Sequence, residues 1–398
     1  MKIDIWSPLP PVPSGIAHYT QQVFSTGFDD FDIQFVDRAG APFRSDAVPI
    51  YQLGNNPYHE FIYLAALDRP RIVEIHDFSV HHLVTEMTLA KGDRTAYEYV
   101  LGKAAGERGI SLAQKRGQKM PEYHPQLQFE MPLLEPFIRD AYHVIVHSRW
   151  ARQRTKMIRR DAPVSMIPHF CQTPEESGVS ADARGVVRKR LNIADDETMI
   201  LCAGFVTPPK RIDLVLKALE RCQEAGDTKF RLVIAGEVMD SGVLRLIQKF
   251  PDQSRISLLG YTDEKQFDEL FMAADLVPAL RWPSVGESSG VASRAVGFGK
   301  RTLAFNLKAF ADLPKACADL ISLGSDEEMA AQIADAFSEQ IRGQGRAVDQ
   351  SALELYLSEK AGLGAVRQKY RQLFEHIADV GQQAVTDMRQ TQLSVGRE

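Results

Sequence analysis

Residues 286–290 read GESSG, between the apolar run DLVPAL (275–280) and the helical pattern VASRAVGF. Glu287 can accept hydrogen bonds from hydroxyl groups. Ser288, Ser289, Gly290 and Val291 present backbone N–H groups at a helix start, where unpaired amides carry partial positive charge. An anion with hydroxyls beside it fits such a turn; so, more plainly, does a carboxylate that only steadies the helix. A second turn of this kind ends the run TMILCAGF (198–205), where Gly204 and a proline-stiffened stretch lead to Lys210 and Arg211 ahead of an amphipathic helix. Two adjacent cations can neutralise a diphosphate, although Lys-Arg pairs are also ordinary on protein surfaces.

The first half holds two further candidates. In SPLPPVPSGIAHYT (7–20), Ser14 and Gly15 precede a helical pattern at a place where backbone can approach a phosphate closely, or simply turn. In EIHDFSVHHL (74–83), His76 and Asp77 stand at a strand end with His81 and His82 behind them. Their spacing matches neither the two-histidine zinc helix nor another familiar ligand pattern, so no metal is expected. An imidazole that hydrogen-bonds a polyhydroxylated ligand suits His76, while satisfied core histidines are the competing reading of His81 and His82.

These turns need strands to place them. Short apolar runs at 2–6, 31–37, 48–53, 71–76 and 143–148, and again at 198–205, 230–237, 255–261, 275–280 and 301–306, alternate with helical patterns. That alternation predicts two parallel sheets with crossover helices, in an α/β chain of 398 residues, long enough for two cores. Open α/β sheets bind ligands beyond the carboxyl ends of their strands, where all four turns fall. The Pro-, Ser- and Gly-rich stretch 171–185 reads as a linker between domains 1–170 and 186–355, followed by a helix over 356–385 and a frayed tail, 386–398.

The net charge of −5 argues against a general nucleic-acid partner. Cys171, Cys202, Cys222 and Cys317 lack metal or redox spacing and read as reduced structural thiols. With no signal-peptide core and no run of 18 apolar residues, the expectation is a soluble cytoplasmic protein. The locally basic stretch 102–120 reads as a solvated helix or as a surface for an anionic lipid headgroup, which would make the protein peripheral at the inner face of the membrane.

Taken in order, SPLPPVPSGIAHYT, YQLGNNPYHEFIY, EIHDFSVHHL, VHSRWAR, GFVTPPKRIDLVLKAL and LRWPSVGESSGVASRAVGFGK resemble the retaining glycosyltransferases of family 4 over nearly the whole chain. The resemblance implies the GT-B fold: two Rossmann-like domains facing a central cleft, with a C-terminal helix crossing back to the first domain. It implies a hexose moved from a nucleoside diphosphate sugar to an acceptor hydroxyl with retention, without metal or cofactor. By position, Gly15 is similar to the glycine near the donor diphosphate, His76 to the histidine near the transferred sugar, and Lys210, six residues after Gly204, to the diphosphate lysine. Glu287 resembles the first acid of a glutamate pair that touches sugar hydroxyls, and Ser288 to Val291 resemble the phosphate-binding amides. Tyr261, closing the run RISLLGY, and Arg294 complete the donor set.

The chain departs from the family twice. Phe205 stands where an arginine is usual, so Arg211 supplies a second cation or the site has one. The second acid of the pair falls on Arg294 or Ala295. The acceptor, a saccharide or lipid-linked intermediate of polysaccharide assembly, is expected on the first domain at Gly54, Asn55 and Asn56 and along 102–120. Competing readings are a catalytically silent protein that binds nucleotide sugar, a GT-B epimerase, and a phosphorylase, for which no pyridoxal lysine is identified. A dehydrogenase is disfavoured because neither sheet opens with G-x-G-x-x-G.

Overall fold

A computed structural model describes residues 1–68, 72–116, 128 and 130–395. The chain forms two compact units: Met1–Pro168 with Leu363–Glu398, and His169–Gly362. Among the described residues, each unit holds one six-stranded parallel sheet.

The first sheet runs β2-β1-β3-β4-β5-β6, from β1 (Lys2–Trp6), β2 (Asp32–Val36), β3 (Val48–Leu53), β4 (Ile72–Ile75), β5 (His143–Val146) and β6 (Val164–Met166). Its order reverses between β1 and β3. The second runs β12-β11-β10-β7-β8-β9, from β7 (Thr198–Ala203), β8 (Phe230–Ala235), β9 (Ile256–Gly260), β10 (Leu276–Pro278), β11 (Arg301–Phe305) and β12 (Ala318–Ile321). Here the reversal lies between β7 and β10, which pair at Ile200 and Leu276. Crossovers leave opposite faces of the sheet on either side of such a point, so the loops after its two strands open a crevice.

Period-two alternation builds both faces of the second sheet. Ile200 and Cys202 of β7 join Leu232 and Ile234 of β8 in a core under the helices Ile212–Glu224 and Asp326–Ile341. Their neighbours Met199, Leu201, Ala203, Val233 and Ala235 face the other way, onto Phe271 and Ala295 of the helices Glu264–Ala273 and Gly290–Gly297. Burial on both faces explains why these strands read as continuous apolar runs.

The stretch 171–185, expected as a linker, is folded into the second unit. Thr173 and Glu176 form a capping box, Cys171 N donates to Ala361 O at 2.6 Å, and a Cβ at Gly297 would lie 2.1 Å from the Gln172 carbonyl oxygen. The helix Leu363–Val395 belongs to the first unit and continues into the expected tail. Tyr370 and Phe374 pack on Phe24, and Arg367 donates to the carbonyls of Gln22 and Val23, closing the end of the helix Gly15–Phe24.

The basic stretch lies on the helix Arg94–Arg116, which breaks at Ala105 and Gly106; residues 117–120 and the final 396–398 fall outside the described residues. No helix among the described residues is long and apolar enough to cross a membrane. All four cysteines are free and buried.

Candidate functional site

In the first unit the carboxyl ends of β1, β3 and β4 carry polar residues into the interior. Glu74 on β4 is fully buried. Its Oε1 accepts from the Tyr370 hydroxyl and its Oε2 from Gln52 Nε2 at 3.1 Å; Tyr19 Oη lies 2.8 Å from Tyr370 Oη. The Thr20 hydroxyl donates to Gln52 Oε1 and sits 2.8 Å from the Ser7 hydroxyl. Burial pushes the Glu74 carboxyl up to about 7, against the donors of Tyr370, Gln52 and Tyr19 that pull it down.

His76 is two residues on, so its side chain leaves the sheet on the same face. Its Nε2 lies 3.4 Å from Glu74 Oε1, as does His147 Nε2 at 3.5 Å, and its ring meets Tyr19 edge-on at 4.9 Å. Burial pulls His147 down to about 4, so its imidazole is neutral at pH 7. Among the described residues, Glu74, His76 and His147 have ligand atoms within 4.8 Å of one another, close enough for a metal ion, a grouping the linear spacing hides. Glu74 Oε1, the atom nearest both rings, already accepts from Tyr370.

The other first-unit candidates divide. A Cβ on Gly15 would meet nothing within 4 Å, and Ser14 caps that helix by accepting from Ile16 N at 3.3 Å, leaving its first turn open. Gly54 is a packing glycine: a Cβ there would lie 2.4 Å from Ile16 Cδ1. Asn55 N donates to Asp77 Oδ2 and Asn55 Oδ1 accepts from Leu83 N, which locks loop 54–56 to the segment after β4; Asn56 caps the turn Pro57–His59. His81 is a satisfied core histidine, between Met131 O and the Tyr97 hydroxyl at 2.8 Å each, and His82 is half-buried on the same helix.

In the second unit the loops flanking the β7/β10 reversal converge. Gly204 ends β7 at φ +75°, a conformation that favours glycine, and a Cβ there would lie 2.7 Å from Lys210 Nζ and 3.6 Å from Val291 Cγ2. Gly236 matches it at the end of β8: its Cβ would sit 2.3 Å from the Gly204 carbonyl oxygen. The ammonium of Lys210 and the Val291 side chain at the start of the helix Gly290–Gly297 thus both come close to bare backbone at Gly204. Lys210 Nζ donates to Ala203 O. Burial, then the charge of Arg281, pulls Lys210 down to about 7, while Cys202 opposes them. Ser289 accepts from Ala292 N at 3.2 Å as N-cap, and Gly290 and Val291 lie in the first turn, whose amides have no partner within the helix.

Glu287 is nearly buried. Its Oε2 accepts from the Ser284 hydroxyl and Val285 N, both at 2.8 Å, and its Oε1 lies 3.0 Å from Arg281 Nε. Ser288 is half-buried beside it. Arg294 pairs with Glu264 at 2.9 Å and Asp268 at 3.0 Å, over the Phe267 ring. Tyr261 is 72 % exposed beyond β9 and Phe205 is 42 % exposed after Gly204.

Arg211 turns away from the Lys210 ammonium's surroundings. Its Nη2 reaches Asp213 at 2.8 Å and Asp326 at 2.7 Å, and its backbone, at φ +52°, opens the following helix. Sequence reading missed Arg281, whose relation to Lys210 is made by chain reversal rather than by spacing. It also missed Glu74, which stood in the quoted motif as an unremarked strand residue.

Residues 184–341 match the family model of the glycosyl transferases group 1. A comparison with curated proteins finds no match. Among solved structures, the chain is similar to HepE from Anabaena in complex with UDP (14 % identity, TM-score 0.59, covering 94 % of this chain and 100 % of that one). It is also similar to sucrose-phosphate synthase from Thermosynechococcus elongatus (14 %, TM-score 0.60, 96 % and 100 %) and to a glycosyltransferase from Rickettsia africae (13 %, TM-score 0.55, 95 % and 98 %). The chain has the GT-B fold, and the stretch that matches the glycosyl transferases group 1 model lies within its second unit.

Proposed function

We propose that the protein is a retaining glycosyltransferase of family 4 that moves a hexose from a nucleoside diphosphate sugar to an acceptor hydroxyl. The observation that carries this reading is that Lys210 Nζ and the Val291 side chain, in the first turn of its helix, both lie against the bare backbone of Gly204. A diphosphate placed there meets an ammonium on one side and backbone amides on the other, at the chain reversal where doubly wound sheets bind ligands. HepE, bound to UDP in one structure and UDP-glucose in another, makes a uridine donor the first to try.

In this mechanism the sugar gains oxocarbenium character as the diphosphate leaves. Charge builds on the leaving oxygen, where Lys210 and the amides stabilise it more in the transition state than in the ground state. That oxygen then accepts the acceptor's proton on the same face, so the chemistry needs no pair of catalytic carboxylates and no metal. Glu287 receives sugar hydroxyls through the lone pairs that Ser284, Val285 and Arg281 leave. The acceptor, a saccharide or lipid-linked intermediate, is read by the first unit, where Asn55, through Asp77 and Leu83, fixes loop 54–56 to the segment that follows His76.

The test is a thermal-shift screen with UDP-, GDP-, ADP- and dTDP-linked sugars, followed by release of nucleoside diphosphate from the donor that binds. Stabilisation by one donor with slow release is expected. Binding without any release, with or without saccharide acceptors, supports the catalytically silent reading that Phe205 favours; binding of none overturns the proposal.

A further inference from the structure

The chain lacks a cation directly after Gly204, and Arg211 is committed to Asp213 and Asp326, so the Lys210 turn has no second positive charge of its own. One arrives from across the chain reversal. Arg281 lies in the loop after β10, and that loop is fastened to the Lys210 turn by Trp282 N donating to Pro209 O at 2.7 Å. Arg281 Nε is 3.0 Å from Glu287 Oε1, and Glu287 is itself held by Ser284 and Val285. The carboxylate is buried while a third of the guanidinium side chain is exposed. Among the described residues its terminal nitrogens meet no acceptor, so the pair that binds an anion in the two-pronged manner of arginine is unoccupied by protein.

This arrangement is uneconomical for stability alone. Arg281 acts on a half-buried ammonium of the same sign, Glu287 pairs with Arg281 alone of the two, and the Trp282–Pro209 hydrogen bond keeps their loops together. A doubly negative group between them turns that repulsion into attraction on both sides.

We infer that Arg281, rather than Arg211, is the second cation for the donor diphosphate, aimed by Glu287 and facing Lys210 from the other side of the β7/β10 reversal. The inference rests on the diphosphate reading above. It gives Glu287 a second task, as the positioning residue of Arg281, and it explains how Phe205 is tolerated after Gly204: the charge comes from a different loop.

The experiment is calorimetric titration of the full chain with UDP, GDP, ADP and dTDP, and with the monophosphate of whichever nucleoside binds. It compares wild type, Lys210→Gln, Arg281→Gln and Arg281→Lys after thermal melts establish that each is folded. Arg281→Gln is expected to weaken the diphosphate by about 10- to 100-fold and the monophosphate by less, because a two-pronged contact to the second phosphate is lost. Arg281→Lys, which retains the charge should the glutamine variant fail to fold, is expected to keep part of the affinity. Diphosphate binding that Lys210→Gln abolishes but both Arg281 variants retain at the wild-type level overturns this inference and leaves the glycosyltransferase reading standing. A wild type that binds none of the four diphosphates overturns both.

Discussion

Each unit withdraws an ionisable group from water at the carboxyl ends of its strands, Glu74 fully and Lys210 in part, and desolvation drives the two toward the same pH from opposite sides: Glu74 up to about 7, Lys210 down to about 7. Their surroundings differ in kind. Glu74 accepts from Tyr370 and Gln52, with the rings of His76 and His147 beside it. Among the described residues Lys210 donates to one backbone carbonyl, that of Ala203, and it lies near the charge of Arg281 and bare glycine backbone. The same desolvation is therefore offset by neighbouring donors in one place and leaves an ammonium suited to an anion in the other. A perturbed titration alone does not mark a site; the identity of the neighbours does.

The sharpest way to break this contrast is Lys210→Gln, expected to lower turnover about 100- to 1,000-fold, the range for losing one preorganised donor to a developing oxyanion. Steady-state donor turnover checks it; a variant within a few-fold of wild type would reduce Lys210 to a packing residue.

Linkage gives the second test, because the two groups have slopes of opposite sign. The Glu74 pKa is raised on folding, so its contribution is full below about 4.5 and is lost as pH rises through about 7, on the order of 3 kcal/mol in all. The Lys210 pKa is lowered, so its contribution is present above about 10.5 and is lost as pH falls toward 7. Glu74→Gln should flatten the fall in stability between pH 4.5 and 7 and leave the rise above 7, as urea titrations across pH would show.

A diphosphate should restore the charge of Lys210. Affinity is then expected to fall by up to tenfold per pH unit above about 7, with proton uptake on binding at pH 8. Calorimetry in two buffers of different ionisation enthalpy measures that proton directly. The smallest effects belong to the closed partners. Tyr370→Phe should cost about 1 to 2 kcal/mol through the lost donor to Glu74, and Arg211→Gln about 1 kcal/mol, since Asp213 and Asp326 stay partly in water. Neither should change diphosphate affinity beyond its effect on folding.

Much of the fold was legible because parallel strands buried on both faces write themselves as apolar runs; the ten predicted strands are all present. The two missed, β6 and β12, are short edge strands of three and four residues, with one neighbour each and too few positions for a pattern. Residues 171–185 read as a linker because Pro, Ser and Gly punctuate them, yet the same residues serve as a capping box and a left-handed cap at Gly178. Of the candidate site, Gly204 and Lys210 were legible through a turn that places both in one local stretch. Arg281 was not, because strand order, which spacing does not encode, brings it to that turn. The commitment of Arg211 to Asp326, 115 residues on, was hidden for the same reason.

The tyrosine that closes the Glu74 network is residue 370, on a helix separated from the rest of its unit by the whole of the second. During synthesis the amino-terminal sheet therefore emerges with Glu74, Tyr19 and Phe24 lacking their final partners, while the second unit, a continuous stretch, can complete itself first. The part of the chain made earliest is the last to mature, and a polypeptide truncated at Gly362 should leave the ribosome with one finished unit and one that still exposes the aromatic seat of its missing helix.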